Sequence, residues 1–311
     1  MYDIDHNFEN AREFVDFFLD DNIFEPKSIF DVSEKIVSGY IFRGQGRKEW
    51  SLLPSAHRSP DALNNFTPQP PGKKEEEPQK IREYLAHHIH AELRAVQLFL
   101  EAADRVGIPT PLDYNALTRH NPILDDLFSG KEIDPKSEFP HQSFLPNMAL
   151  AQHHGVPTRL LDWSESAYIA AYFAAETAMS NRRSGQEDGY FSVICLGTQL
   201  LRKVESIKAV SAPRASNPFL RAQRGVFTLI KNANQFLIKN GRWPSIEDAV
   251  EAERDASIWY TRSPLVRLSL PNAEAESLLR LLYRLDVSKL TMMPSLDNAA
   301  NNLIYKKSLW R

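Results

Sequence analysis

The sequence predicts an α+β fold in which mixed or antiparallel small sheets are flanked by helices. Short runs rich in β-branched and aromatic residues, such as Tyr190 to Leu196 and Val226 to Ile230, are interspersed with segments of helical period. No internal repeat organises them. A chain of 311 residues, 42% hydrophobic and 25% charged, can bury a sizeable core in one large domain or in a domain with an appendage.

The first helix is expected over Asn10 to Asp20, where Ala11, Phe14, Val15, Phe17, Phe18 and Leu19 form a broad apolar face that packs on the main domain. Ile36, Val37, Tyr40, Ile41 and Phe42 read as a buried strand that ends by projecting Arg43. Trp50 to Ser55 reads as a second extended piece, with Gly44 and Gly46 in the turn, which suggests a hairpin. Thr67 to Gln79 holds a proline-rich stretch and the charge run Lys73 to Glu77; it lacks apolar content and is expected as an exposed loop. A long helix follows from Lys80 to Arg105, because Ile81, Leu85, Ile89, Leu93, Val96, Leu100 and Ala103 keep helical spacing and Gly107 with Pro109 stops it.

From Ile108 to Pro140 the chain reads as loops and short helices. Leu145 to His153 is expected as a helix ended by Gly155 and Pro157, then a strand from Thr158 to Leu161 and a helix from Ser164 to about Met179. Further strands are expected over Tyr190 to Leu196, Val226 to Ile230 and Ile258 to Leu270. Helices are expected over Ser245 to Glu253, Ala273 to Tyr283 and Leu296 to Leu309. These elements divide the chain into an N-terminal helical extension, 1–35, and a main domain, 36–311, carrying the loop 67–79 and a helical insert 80–140.

A formal net charge of -3 argues against a globally basic nucleic-acid binder, although Arg214, Arg221, Arg224 and Lys231 gather into a local basic stretch. The single cysteine, Cys195, lies in an apolar run and reads as a core thiol, so no disulfide framework or cysteine-based zinc site arises within the chain. No stretch reaches a membrane-spanning length and the first residues lack a signal-peptide pattern; a cytoplasmic protein with no membrane partner is the expectation.

Two segments crowd polar groups into apolar surroundings: Phe42-Arg43-Gly44-Gln45 and Gln152-His153-His154-Gly155-Val156-Pro157-Thr158-Arg159-Leu160-Leu161-Asp162-Trp163-Ser164. A guanidinium at the end of a buried strand needs an anionic partner, either a ligand phosphate or carboxylate or an internal carboxylate such as Asp162. Asp162 and Ser164 sit where strand gives way to helix, so either can cap the helix, and that helix N-terminus also suits an anion. One of Arg43 and Arg159 is expected to be structural. His153 reads as a donor or general acid, or as a helix-terminal histidine bonded to carbonyls. Gln223, opening the strand of Gly225 and Phe227, reads as a pocket wall or as a satisfier of loop carbonyls. His87, His88 and His90, flanked by Glu83 and Glu92, lack a His-Glu-x-x-His pattern and are assigned to a solvated helical face, so no metal site is expected. Neither a dinucleotide fingerprint at Gly44-x-Gly46 nor a Walker loop is present.

These segments, in order with Gln223-x-Gly225-x-Phe227 and Pro294-Ser295-Leu296-Asp297, resemble the FRG domain over roughly residues 36 to 305. The resemblance assigns 36–311 to that domain. A more distant resemblance links Phe42-Arg43-Gly44, and Thr158 to Ser164 followed by Ala170-Ala171-Tyr172-Phe173, to ADP-ribosyltransferases of the arginine-serine-glutamate class. It implies an ADP-ribosyltransferase-like cleft between two small sheets, binding NAD as substrate or another phosphate-bearing nucleotide, with a protein or nucleic acid as acceptor and a toxin or phage-defence role. Arg43 would hold the pyrophosphate beside Gly44, Thr158 and Ser164 would line the ribose, His153 or Gln223 would contact nicotinamide or ribose, and Trp163 or Trp50 would stack. Arg43, Ser164 and Gln223 are then the catalytic candidates. The class's glutamate has no good match: Gln223 offers an amide, Glu251, Glu253, Glu274 and Glu276 fall in expected helices, and Glu165 reads mainly as a first-turn residue. The alternative implied by that gap is a non-catalytic nucleotide or nucleic-acid binding module.

Overall fold

A computed structural model describes residues 2–19, 39–110, 129–131, 139–183, 185, 188–198, 201, 205–211, 218–253 and 264–310. The strands are β1 (Ile4–Asn7), β2 (Tyr40–Gln45), β3 (Leu161–Ser164), β4 (Tyr190–Gly197), β5 (Ile207–Val210), β6 (Gly225–Ile230) and β7 (Leu265–Pro271). They form one seven-stranded sheet in the order β1-β7-β4-β2-β3-β6-β5, antiparallel at every pairing except the parallel β1 and β7. The fold is therefore α+β with a mixed sheet, but the small sheets expected from sequence are fused. The reason lies in β2, where Phe42 pairs with Cys195 of β4 on one edge and Ser164 of β3 on the other.

Side-chain alternation along the central strands feeds two cores. Tyr40, Phe42, Val193, Cys195, Val266, Leu268 and Leu270 face one layer of helices, α1 (Ala11–Phe17), α4 (Ala167–Arg183) and α8 (Ala275–Arg284). Ile41, Ile194 and Leu196 face the other, with α2 (Pro78–Arg105), α3 (Leu145–His153), α6 (Ala233–Asn240) and α7 (Ile246–Ala252). Burial on both faces explains why β4 is apolar from Val193 to Leu196, and why Cys195 is a buried thiol pushed well above its usual range by desolvation. Among the described residues the other complete α-helices are α5 (Pro218–Ala222), α9 (Lys289–Met292) and α10 (Leu296–Leu309). No helix among the described residues is long and apolar enough to cross a membrane.

Several local expectations change. Trp50 to Ser55 forms no strand: Leu52 N–H donates to the Glu247 carboxylate at 3.1 Å and its carbonyl accepts from Ile246 N–H at 3.2 Å, so this backbone finds its partners at the start of α7 instead of in a hairpin. The strand expected at Thr158 to Leu161 begins at Leu161. β1 adds residues 4–7 to the sheet beside β7, and α1, capped by Asn10, contributes Phe14 and Val15 to the core. His88 and Glu92, expected on a solvated face, are 1% and 0% exposed. The segments 20–38, 111–128, 132–138, 212–217 and 254–263 lie outside the described residues, and with them Ile36, Val37, Arg214, the start of the last expected strand and most of the irregular region.

Candidate functional site

The sheet splays between β2 and β3. Six residue pairs tie β2 to β4, whereas the β2–β3 ladder registers only Phe42 opposite Ser164. Beyond that pair the Arg43 guanidinium bridges the gap, its Nη1 donating to the Asp162 carbonyl at 2.7 Å and lying 2.8 Å from Asp162 Oδ1. A side chain thus takes over a carbonyl that a regular ladder would satisfy. Gly44 sits under α4: a Cβ there would lie 2.0 Å from the Ala170 carbonyl oxygen, so only glycine lets the helix backbone approach this strand.

At the splay opens a cavity of about 210 Å³, lined by Phe42, Arg43 and Gly44 of β2 and Asp162, Trp163 and Ser164 of β3. Gln152 and His153 close it from the end of α3, Ala170 and Phe173 from α4, and Gln223, Gly225 and Phe227 from the start of β6; Leu220 and Met293 complete the wall. Of the residues singled out from sequence, Arg43, Gly44, His153, Trp163, Ser164 and Gln223 meet here. Thr158 and Trp50 do not line it.

Thr158 is fully buried, and its Oγ1 and N–H donate to Gln152 Oε1 at 3.0 and 3.1 Å. Ser55 Oγ donates to the same oxygen at 2.8 Å, and Gln152 Nε2 then donates to Asp162 Oδ1 at 3.3 Å. Thr158 and Ser55 therefore fix the amide that orients Asp162. Trp163 is 4% exposed and its indole N–H donates to Thr228 Oγ1 at 2.9 Å, so it presents an edge of the wall rather than a free stacking face. Ser164 Oγ donates to the Gln223 carbonyl at 2.8 Å and accepts from Ser166 N–H at 3.0 Å, the turn into α4. Gln223 Nε2 and Arg43 Nε are buried and have no hydrogen-bond partner among the described residues.

The residue that sequence reasoning undervalued is Asp162, weighed there only as a cap or as a partner for Arg43. Its side chain is 55% exposed against 10% for Arg43, so the carboxylate stands at the cavity while the guanidinium lies beneath it. Although the carboxylate is half open to the cavity, the protein crowded around it desolvates it and pushes its carboxyl up; the Arg43 charge and hydrogen bond, with Arg58 beyond, outweigh this and hold it below the usual carboxylate range. Arg58 is pushed down to about 10 by desolvation and by repulsion from Arg43, which places a second guanidinium close by. His153 is pushed down to about 4, first by desolvation and then by His154 against the opposing pull of Asp162, and is neutral at pH 7. A signal for Asp162 existed: it alternates with buried Leu161 and Trp163 and so points the other way from the core.

The segment from α3 through β3 to α4 supplies most of these walls. Residues 124–183 match the family model of the FRG domain. The match takes in Gln152, His153, Thr158, Asp162, Trp163, Ser164, Ala170 and Phe173, while Arg43, Gly44 and Gln223 come from outside it. The FRG-matched segment therefore supplies one side of the cavity, and β2 and β6 supply the rest. No curated protein and no solved structure matches the chain.

Proposed function

We propose that the cavity binds the phosphate and ribose portion of a nucleotide, NAD foremost, and that the protein is an ADP-ribosyltransferase-like enzyme acting on a macromolecule. The observation that carries this reading is the meeting of Arg43, Asp162, Ser164 and Gln223 on one cavity. In the sequence the class's glutamate lacks a counterpart; Asp162 offers an ionised carboxylate at the cleft instead, from β3 and not from a later strand. Departure of nicotinamide takes the electrons of the C–N bond and leaves oxocarbenium character on the ribose, which the Asp162 carboxylate stabilises. The acceptor nucleophile bonds to the same carbon and releases its proton. Arg43 and Arg58 offset phosphate charge, the unpartnered Gln223 amide donates to a ligand oxygen, and Phe42, Phe173 and Met293 give the apolar wall for a ring. A toxin or phage-defence role fits an activity that consumes NAD.

A second reading is favoured by a specific contact. Arg43 Nη1 already binds both the carboxylate and the carbonyl of Asp162, which draws charge away from a catalytic carboxylate. Together with Arg221, Arg224 and Lys231, which are exposed around the start and end of β6, this suits a non-catalytic module for nucleotides or nucleic acid. Calorimetry with NAD and a nicotinamide-release assay with cell extract separate the two. NAD binding with release supports the enzyme; binding without release, or RNA affinity that falls steeply with salt, supports the module. Absence of NAD binding defeats the first reading.

A further inference from the structure

Glu92 and His88 lie one turn apart on α2, facing inward, and meet His57 from the short 3-10 turn Ser55–His57. One potential ligand atom from each of the three residues lies within 4.8 Å of the others. His88 Nε2 is 3.1 Å from the Ala56 carbonyl. A carbonyl only accepts, so Nε2 carries the proton and the Nδ1 lone pair is left toward the cluster, the tautomer lock found behind metal-bound histidines. His88 Nδ1 and both ring nitrogens of His57 are buried without a hydrogen-bond partner among the described residues. Burying three ring nitrogens unpaired is unfavourable, and a shared ion is one arrangement that repays it.

We propose that His57, His88 and Glu92 form a buried site for a divalent transition-metal ion of the zinc type. Bonds of about 2.0–2.1 Å place tetrahedral ligand pairs roughly 3.3 Å apart, so small side-chain rotations close the present spacing onto an ion. Arg159 also uses Glu92: its backbone N–H donates to Oε1 at 2.7 Å and its Nε to Oε2 at 2.9 Å, leaving each carboxylate oxygen a further lone pair. The guanidinium orients the carboxylate and also opposes the ion's charge. Affinity must then come from the imidazole bonds, which favours Zn²⁺, Co²⁺ or Ni²⁺ over Mg²⁺ or Ca²⁺. The three residues fill three of the four tetrahedral positions, and a water enclosed with the ion would take the fourth; the site is otherwise closed to solvent, so its role is structural. It would stiffen the turn whose Ser55 holds Gln152 and whose Ala56 N–H donates to the Thr158 carbonyl at 3.1 Å.

The test uses the full chain. Metal analysis of purified protein, and Co²⁺ titration read by the visible bands of a four-coordinate ion, are expected to give about one ion per chain, with Zn²⁺ raising the melting temperature of chelator-treated protein. His57→Phe keeps the ring stacked on Trp243, now 3.8 Å between centroids and parallel, and removes the ligand; it is expected to fold but lose the metal and the Zn²⁺ response. Folded wild type that takes up no Zn²⁺, Co²⁺ or Ni²⁺, or a His57→Phe variant that binds metal as the wild type does, overturns the proposal in favour of a metal-free packing network.

Discussion

Two arginine–carboxylate pairs are anchored three residues apart in the chain, at Arg159 and Asp162, yet they live in different media. Arg159 and Glu92 are 1% and 0% exposed, and Arg159 Nη1 also donates to Asn234 Oδ1 at 2.8 Å and the Phe139 carbonyl at 3.2 Å. In the Arg43–Asp162 pair only the arginine is covered, and the carboxylate opens onto the cavity. A closed pair fixes backbone and offers nothing to a ligand arriving from solvent. A half-open pair keeps one partner available for chemistry while the other holds it in place. The difference assigns Arg159 to structure and Arg43 to the site.

The sharpest way to break this contrast is to remove each arginine. In chelator-treated protein, Arg159→Ala leaves Glu92 buried and uncompensated and is expected to destabilise the fold by about 3–5 kcal/mol in urea unfolding. Gly44→Ala drives a methyl into the α4 backbone and is expected to cost about 1–3 kcal/mol, more if the helix cannot shift. Arg43→Ala leaves a solvated Asp162 and is expected to cost only about 1 kcal/mol, while lowering nucleotide affinity at least tenfold by calorimetry. Equal stability losses for Arg43→Ala and Arg159→Ala would erase the distinction between the two pairs.

The same contrast explains what the sequence could and could not say. Helices α2, α3 and α10 were legible because their apolar period is bounded by prolines, glycines or capping serines, and the observed limits fall within two residues of the expected ones. β3 was displaced because Thr158 and Arg159 spend their backbone N–H groups on side chains, Gln152 on the preceding helix and Glu92 far away in sequence, which no strand pattern reveals. β1 was missed since Ile-Asp-His-Asn at an exposed edge carries no buried alternation. At the site, the motif residues Arg43, Ser164 and Gln223 were legible, whereas the positioning roles of Gln152 and Thr158 depend on how α3 packs.

The smallest expected effect is also the one that tests the open pair's electrostatics. His153 ordinarily titrates near 6.5, and at the cavity it is pushed down to about 4 by desolvation and by His154. Because the folded form resists the proton more than the unfolded chain does, the stabilising difference is fully present above pH 6.5 and is lost as pH falls toward 4. Nucleotide affinity should accordingly stay flat between pH 8 and about pH 5, since His153 is neutral throughout that span and Asp162, held below its usual range, stays ionised. His153→Gln should remove the part of the acid destabilisation that begins near pH 6.5 and leave the neutral-pH affinity within a few fold of wild type. An affinity step centred near 6.5 that vanishes in His153→Gln would mean that this imidazole is solvated and charges freely. The half-open cavity would then be more polar than the desolvation of His153 makes it.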